Sequence, residues 1–339
     1  MVRLADPEPL HSSAVPEPLR PAAKDLVVAR YAVGWGYGAV EWEQALARID
    51  WTPPPGAASR GASEDRPRLL KERADGNAAV WSVALDFGKR NTRVRRRAVV
   101  LKVERLNDGW AVAKSLLRLT KAHRQWRGAK RLEHAGIRAA QGVAIVRGRC
   151  EADAFEMLAL EMMPGRTLLE HLADREITLC KQHRLARVVG RHLAKLCLAG
   201  LVNRDSKPSN LMIEWNERGK PCLTVLDTVA IDRRLFGRKP FWIEEGLARM
   251  ARDLLLEPAG CGFPVRRTLS MRALQACFDR LHPDAGPRRW RSWREVRWRQ
   301  VEAMIEAHGD PTPNDTPMIL KSVESNTTTS PDRKGGVSR

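Results

Sequence analysis

The chain has no apolar run approaching the ~18 residues that a bilayer-crossing helix needs, so no transmembrane helix is expected. Its first 25 residues hold prolines and acidic side chains in place of an apolar h-region, which argues against a cleaved secretory signal. The six cysteines (Cys150, Cys180, Cys197, Cys222, Cys261 and Cys277) form no C-x-x-C pair. They read mostly as small buried hydrophobes in a reducing compartment. The eight histidines supply neither H-E-x-x-H nor a Cys/His zinc spacing, so a zinc centre is not expected. No G-x-x-x-x-G-K-[ST] run is present, which removes the P-loop class of nucleotide site. Internal repeats are also missing.

What is abundant is positive charge. The 59 basic against 40 acidic side chains leave a net +19 over 339 residues. Such a surface favours an anionic partner: nucleic acid, phosphorylated lipid or nucleotide. Hydrophobic residues make up 43% of the chain, enough for most of it to fold around a core.

The pattern along the chain suggests two lobes. Residues 1–25 are Pro- and Ala-rich and are expected to be disordered. Residues 26–51 carry Val27, Tyr31, Trp35, Trp42, Leu46 and Trp51 and read as a helical or irregular extension, and 52–66 as a linker. Strands follow at Leu69–Ala74, Ala78–Phe87 and Ala98–Leu106, where β-branched and aromatic residues concentrate. Asp75-Gly76-Asn77 is a turn signal between the first two, and Gly88–Arg97 a basic connection. Ser115–His134 reads as one helix, with Leu116, Leu119, His123, Trp126, Ala129 and Leu132 at a spacing of three to four and Gly136 as its stop. Strands at Gly142–Arg147 and Met157–Met162, helices at Thr167–Ala173 and Leu179–Leu201, and a hairpin at Leu211–Trp215 and Leu223–Leu226 come next. Helical patterns at 241–256, 268–281 and 288–307 precede a Thr/Ser/Asn-rich tail, 308–339, expected to be disordered. A sheet lobe followed by a helical lobe is an α+β arrangement.

The chemistry concentrates in Asn203-Arg204-Asp205-Ser206-Lys207-Pro208-Ser209-Asn210, which lies after a long helix and before a strand. Phosphoryl transfer asks for this set: a carboxylate for the acceptor hydroxyl, a cation for the moving phosphoryl group, and an Asn and a second Asp for Mg²⁺. The H-R-D-x-x-x-x-N loop supplies the first Asp and the Asn five residues apart, as Asp205 and Asn210 are here. Lys207 lies two residues past Asp205, and Asp227 follows Asn210 by seventeen. A solvated loop whose Asp and Asn only cap turns is the competing reading.

On these residues the chain resembles the protein-kinase-like superfamily, and within it the lipopolysaccharide kinase (Kdo/heptose kinase) family. The likeness covers roughly residues 66–305. It extends to His123-Arg124-Gln125-Trp126-Arg127 with Leu132–Ile137, to Asp227 and Ile231-Asp232-Arg233, to Gly246–Met250, and to Trp290-Arg291-Ser292-Trp293-Arg294. The resemblance implies a two-lobed fold: a small antiparallel sheet lobe with one helix (66–163) and a larger, mainly helical lobe (164–307), preceded by an extension and linker (26–65). It implies ATP and Mg²⁺. Asp205 is then the catalytic base, Lys207 a phosphate contact, and Asn210 and Asp227 the metal ligands. Lys102 in Val99-Val100-Leu101-Lys102-Val103 matches the strand lysine that binds the α/β-phosphates. A snorkelling edge-strand lysine is the alternative for it, and Lys89 a competitor. Glu161, before Met162-Met163-Pro164-Gly165, sits like the hinge whose backbone binds adenine. The pattern departs from the family in places. Asn203 replaces a His, Thr228-Val229 follow Asp227, and no G-x-G-x-x-G loop is visible, leaving Gly76 as the cover for the phosphates. Gln125 falls where the lysine-pairing Glu is expected.

The expected activity is an ATP- and Mg²⁺-dependent phosphotransferase acting on a hydroxyl of a lipopolysaccharide sugar or related glycolipid. A protein Ser/Thr kinase, another small-molecule kinase, and a catalytically impaired nucleotide-binding module are the alternatives. The expected place is cytoplasmic, peripheral to the inner membrane. The cations of 89–97 and the Arg/Trp-rich stretch 288–299 offer contact with an anionic membrane surface. A core-facing Trp stripe is the plainer reading of the second. Nucleic acid would use the same charges, but no recognised motif supports it.

Overall fold

The computed structural model describes residues 24–32, 37–49, 67–73, 75–87, 95–150, 153–233 and 240–308. Residues 1–23 and 309–339 of the terminal tails, the 52–66 linker and residues 88–94 of the basic Gly88–Arg97 connection, Lys89 included, fall outside those residues; Arg95–Arg97 of that connection and Lys24–Asp25 of the first tail are strand, paired into the sheet.

The first lobe is a six-stranded antiparallel sheet. Its strands are β1 (Lys24–Tyr31), β2 (Arg68–Glu72), β3 (Ala78–Phe87), β4 (Arg95–Leu106), β5 (Gly142–Cys150) and β6 (Asp153–Glu161), in the order β1-β5-β6-β4-β3-β2. With it come α1 (Ala39–Ala47), α2 (Gly109–Leu116) and α3 (Lys121–His134). The second lobe is mainly helical. It contains β7 (Arg166–Thr167), α4 (Leu168–Ala173), α5 (Leu179–Leu198), β8 (Leu201–Asn203), β9 (Leu211–Trp215), β10 (Pro221–Val225) and β11 (Ile231–Arg233). Three long helices close it: α6 (Pro240–Gly260), α7 (Arg267–Leu281) and α8 (Pro287–His308). This is the two-lobed α+β arrangement implied by the sequence.

Strand alternation explains where the site falls. On β4, Val99, Leu101 and Val103 are buried in one cluster with Trp81, Val83, Leu85 and Phe87 of β3 and with Trp42 of α1. Val100, of opposite parity, packs in the cluster of Trp126 from α3. Lys102 shares the parity of Val100, so it faces α3 and the second lobe. β4 lies between β3 and β6, so Lys102 stands on an interior strand and the edge-strand reading fails.

Two features depart from the sequence reading. Lys24–Tyr31 is neither helical nor irregular; it is a strand paired with β5. The predicted helix Ser115–His134 is two helices. Arg118 takes a left-handed φ of 58° and Thr120 is extended, which ends α2 and starts α3 on a new axis. His123, Trp126, Ala129 and Leu132 are buried as the periodicity requires, but Leu116, before the break, and Leu119, within it, are exposed. Of the described cysteines, Cys197 and Cys277 are buried, Cys222 and Cys261 half-buried and Cys180 exposed, and none is in a disulfide.

The Trp stripe of α8 takes the plainer reading. Trp293 packs against the second lobe's core with its ring 5.3 Å from that of Phe278 and tilted to it, and Val301 is buried against α6. No helix among the described residues is long and apolar enough to cross a membrane.

Candidate active site

Four chain segments bring their polar side chains to the junction of the lobes. The junction itself is made by backbone. Val225 at the end of β10 donates to Arg138 O at 3.0 Å, and Ala140 donates to Val225 O at 2.8 Å. Leu226 N reaches Asn210 O at 2.8 Å. These bonds lock the segment entering Asp227 both to the Arg138–Ala140 segment before β5 and to the loop carrying Asp205.

Lys102 Nζ donates to Asp227 Oδ2 at 3.0 Å and to Gln125 Oε1 at 2.9 Å. Gln125, almost fully buried, is thus the helix partner of the strand lysine. Its amide is used twice, because Nε2 donates to Leu226 O at 3.1 Å. A glutamate could accept from Lys102 but could not donate to Leu226, so the amide suits this position. Glu133 points elsewhere, pairing with Lys130 on the surface. α3 is pressed against the segment after Asp227: Thr228 Oγ1 donates to Gln125 O at 2.6 Å. Gly128 permits this approach, since a Cβ there would lie 1.9 Å from Thr228 O.

Asp205 sits in a loop held from behind. Its own N–H donates to Asn203 Oδ1 at 3.0 Å, so the Asn in place of His braces the loop. Asn210 Nδ2 donates to Asp205 Oδ2 at 2.9 Å, and Lys207 Nζ lies 3.8 Å from Asp205 Oδ1. Two acids on α6 hold the rest. Ser206 N–H reaches Asp253 Oδ2 at 3.3 Å, and Ser209 donates to Glu257 through its N–H at 2.8 Å and its hydroxyl at 2.5 Å. Sequence reading missed Asp253 and Glu257. Their signal was two acids four residues apart inside an apolar helix, where a carboxylate stays only if something satisfies it.

The electrostatics separate the two aspartates. Burial raises the pKa of Asp205, with Lys207 opposing and Asp227 and Asp253 adding to it. Burial would raise Asp227 too, but the Lys102 ammonium and the Val229 N–H outweigh it and leave its pKa below the ordinary value. At neutral pH Asp227 is therefore the firmly ionised member, and Asp205 the better proton acceptor.

Not every expected residue joins this group. Gly76, at φ 66°, occupies the turn between β2 and β3. Lys102 lies opposite Val80 and Glu104 opposite Ala78, so the turn stands just past the lysine's end of the strand pair. Among the described residues the hydrogen bond of Gly76 is to Arg73 O, within the turn, and not to the other site residues. Glu161 donates its backbone N–H to Gln141 O at 3.0 Å at the lobe junction, and its side chain is exposed. A mainly apolar cavity of about 350 Å³ lies elsewhere, inside the helical lobe among Leu168, Leu185, Leu254 and Val301, and none of the residues assembled here lines it.

The donor chemistry accommodates a hard cation. Among the described residues no group of three His, Cys, Asp or Glu side chains could hold a metal unaided. Mg²⁺ is ordinarily held by one or two carboxylates together with substrate phosphates, and the oxygens of Asp227 and Asn210 fit that pattern.

No protein-family model matches the chain, and no curated protein matches its sequence. Among solved structures it is similar to WaaP in complex with acyl carrier protein, at 18% identity and a TM-score of 0.43, over 70% of this chain and 88% of that one.

Proposed function

We propose that the protein is an ATP- and Mg²⁺-dependent phosphotransferase that phosphorylates a hydroxyl, with a sugar of lipopolysaccharide or a related glycolipid as acceptor. One observation carries the reading. Lys102 from a strand, Gln125 from a helix, Asp227 after a hairpin and the Asp205–Asn210 loop are brought to one junction, with the pKa values of the two aspartates shifted in opposite directions.

Each residue then has a task. Asp205, its Oδ2 held by Asn210, would present its carboxylate to the acceptor hydroxyl and take the proton as the oxygen attacks. Lys207 would meet the charge of the moving phosphoryl group. Lys102 would pair with the nucleotide phosphates, and Asp227 and Asn210 would hold the metal. Mg²⁺, when bound, supplies charge neutralisation on the phosphate oxygens. Backbone groups following Glu161 would receive the adenine, and the turn of Gly76 would cover the phosphates. The protein's part is positioning and electrostatics fixed before substrate arrives. The sugar acceptor comes from the resemblance in sequence motifs alone.

The test is Mg²⁺-dependent transfer of labelled phosphate from ATP to extracted lipopolysaccharide, with Asp205→Asn beside the native chain. Transfer lost in the variant supports the proposal. ATP binding without transfer to any acceptor would favour a nucleotide-binding module, for which the neutral Gln125 beside Lys102 is the motivating observation. Failure to bind ATP would remove the reading of this junction.

A further inference from the structure

α2 is amphipathic the wrong way round for a helix on a water-facing surface. Its inward residue is polar: Ser115, fully buried, donates to Glu156 Oε1 at 2.5 Å, and Arg147 Nε donates to Ser115 Oγ at 2.6 Å. Large apolar residues stand outward beside the exposed Lys114. Trp110 and Leu116 are 62% and 65% exposed, Leu117 just past the helix 63%, and Leu119 in the following turn 54%. Scattered exposed hydrophobes need no explanation, but these four stand within ten residues. The buried Ser115–Glu156 bond fixes the helix about its axis, so the apolar side is held outward by the fold. Arg118 lies between the leucines in the left-handed region, the one non-glycine residue to do so among the described residues. Arg127 donates to its carbonyl at 3.1 Å, which helps to hold that conformation. Strain of this kind persists where surrounding structure enforces it, often at functional surfaces.

The charge around the patch says what covers it. From Gly109 to Leu132 there are seven lysines and arginines and no Asp or Glu. Lys114 lies over the Trp110 ring at 5.3 Å. Arg30 and His123 both feel this crowding. Burial lowers each most; Arg118 and Arg127 lower each further, and Arg147, ahead of both, adds to the fall of His123 to about 4. Guanidinium groups repelling one another beside exposed Trp and Leu are complementary to a surface that is apolar below and anionic above.

We propose that the α2–α3 turn seats the protein on an anionic lipid bilayer, with Trp110, Leu116, Leu117 and Leu119 entering the headgroup boundary and Lys114, Arg118 and Arg124 meeting the lipid phosphates. The inference does not depend on the chemistry assigned to the lobe junction.

Flotation of the full chain with vesicles tests it, using phosphatidylcholine alone and an equal mixture with phosphatidylglycerol. The native chain binds the mixed vesicles preferentially and releases at high salt. Trp110→Ser with Leu117→Ser binds them on the order of tenfold more weakly, since two interfacial apolar contacts are lost. Arg118→Gln with Arg124→Gln loses the preference for phosphatidylglycerol by a similar factor. Leu198→Ser, at a comparably exposed leucine on α5, binds as the native chain does. All variants lie at exposed positions, and their melting curves are compared with the native one. Equal binding by the native chain and the Trp110/Leu117 variant overturns the proposal, as does indifference to phosphatidylglycerol. A native dimer that this double variant dissociates would assign the patch to a second copy of the chain and overturn it too.

Discussion

Lys102→Met removes the only charge in the Lys102–Gln125–Asp227 triangle that opposes the aspartate's burial at close range. The ammonium lies 3.0 Å from Asp227 Oδ2, and the two side chains are 28% and 29% exposed. Unit charges at that distance attract by about 1.4 kcal/mol at the permittivity of water and by about 5.5 kcal/mol at an effective value of about 20. Partial exposure and the cost of desolvating both groups hold the net effect near the lower end, so the expected loss of stability at neutral pH is about 2 kcal/mol. The pH dependence gives the sharper check. Burial works to raise Asp227, and Lys102 is the foremost of the groups that reverse the sign. A depressed carboxylate stabilises the fold above its unfolded pKa of about 3.9, and the stabilisation drains away as pH falls through the lower folded value. Without Lys102 that depression goes. The gap between native and variant should therefore be widest at neutral pH and close in acid. Denaturant midpoints at neutral pH and along a series of falling pH below the unfolded value measure it. Equal midpoints at neutral pH, or a gap that survives acidification, would refute the reasoning.

Other expectations follow from the same geometry. Because Asp205 must be ionised to accept the hydroxyl proton and burial raises its pKa, the acid limb of kcat/KM should lie above the ordinary aspartate value of about 3.9. A limb at or below that value would show that another group governs the rate. Gln125→Glu keeps an acceptor for Lys102 but turns an oxygen toward Leu226 O, so a loss of about 1 kcal/mol at neutral pH is expected in a denaturant titration; a stabilised variant would contradict this account of the amide. Gly128→Ala places a methyl group 1.9 Å from a backbone oxygen that cannot rotate away. It should cost about 1–3 kcal/mol and weaken ATP binding by shifting Gln125. Gly109→Ala, with open space around it, should stay within about 0.5 kcal/mol.

The parts legible in the sequence were those made by neighbours in the chain. β3 and β9 follow their alternation at the predicted bounds, and α5, α7 and α8 follow their periodicity. The Asp205–Asn210 spacing is a local loop property, and the Asn210 Nδ2 to Asp205 Oδ2 bond is made within it. The N-terminal segment was misread because an edge strand with Val27 and Tyr31 exposed lacks clean alternation. The long helix was misread because the apolar spacing runs unbroken through Leu116 and Leu119. No proline or glycine marks the break; a left-handed Arg118 and the Thr120 hydroxyl bonded to Glu156 make it.

By itself, then, the sequence determined an α+β chain, the loop holding Asp205, Lys207 and Asn210, a strand carrying Lys102, and Asp227 downstream. Each rests on contacts a few residues apart, which spacing encodes. Only the tertiary structure decided that Lys102 meets Gln125 across 23 residues and Asp227 across 125, that Asp253 and Glu257 brace the loop from 47 and 48 residues away, and that α2 turns its apolar side outward. A helix's facing depends on what packs behind it, and here a buried Glu156 on a different strand holds the polar side in. That partner has no fixed offset along the chain, so periodicity carries no record of it.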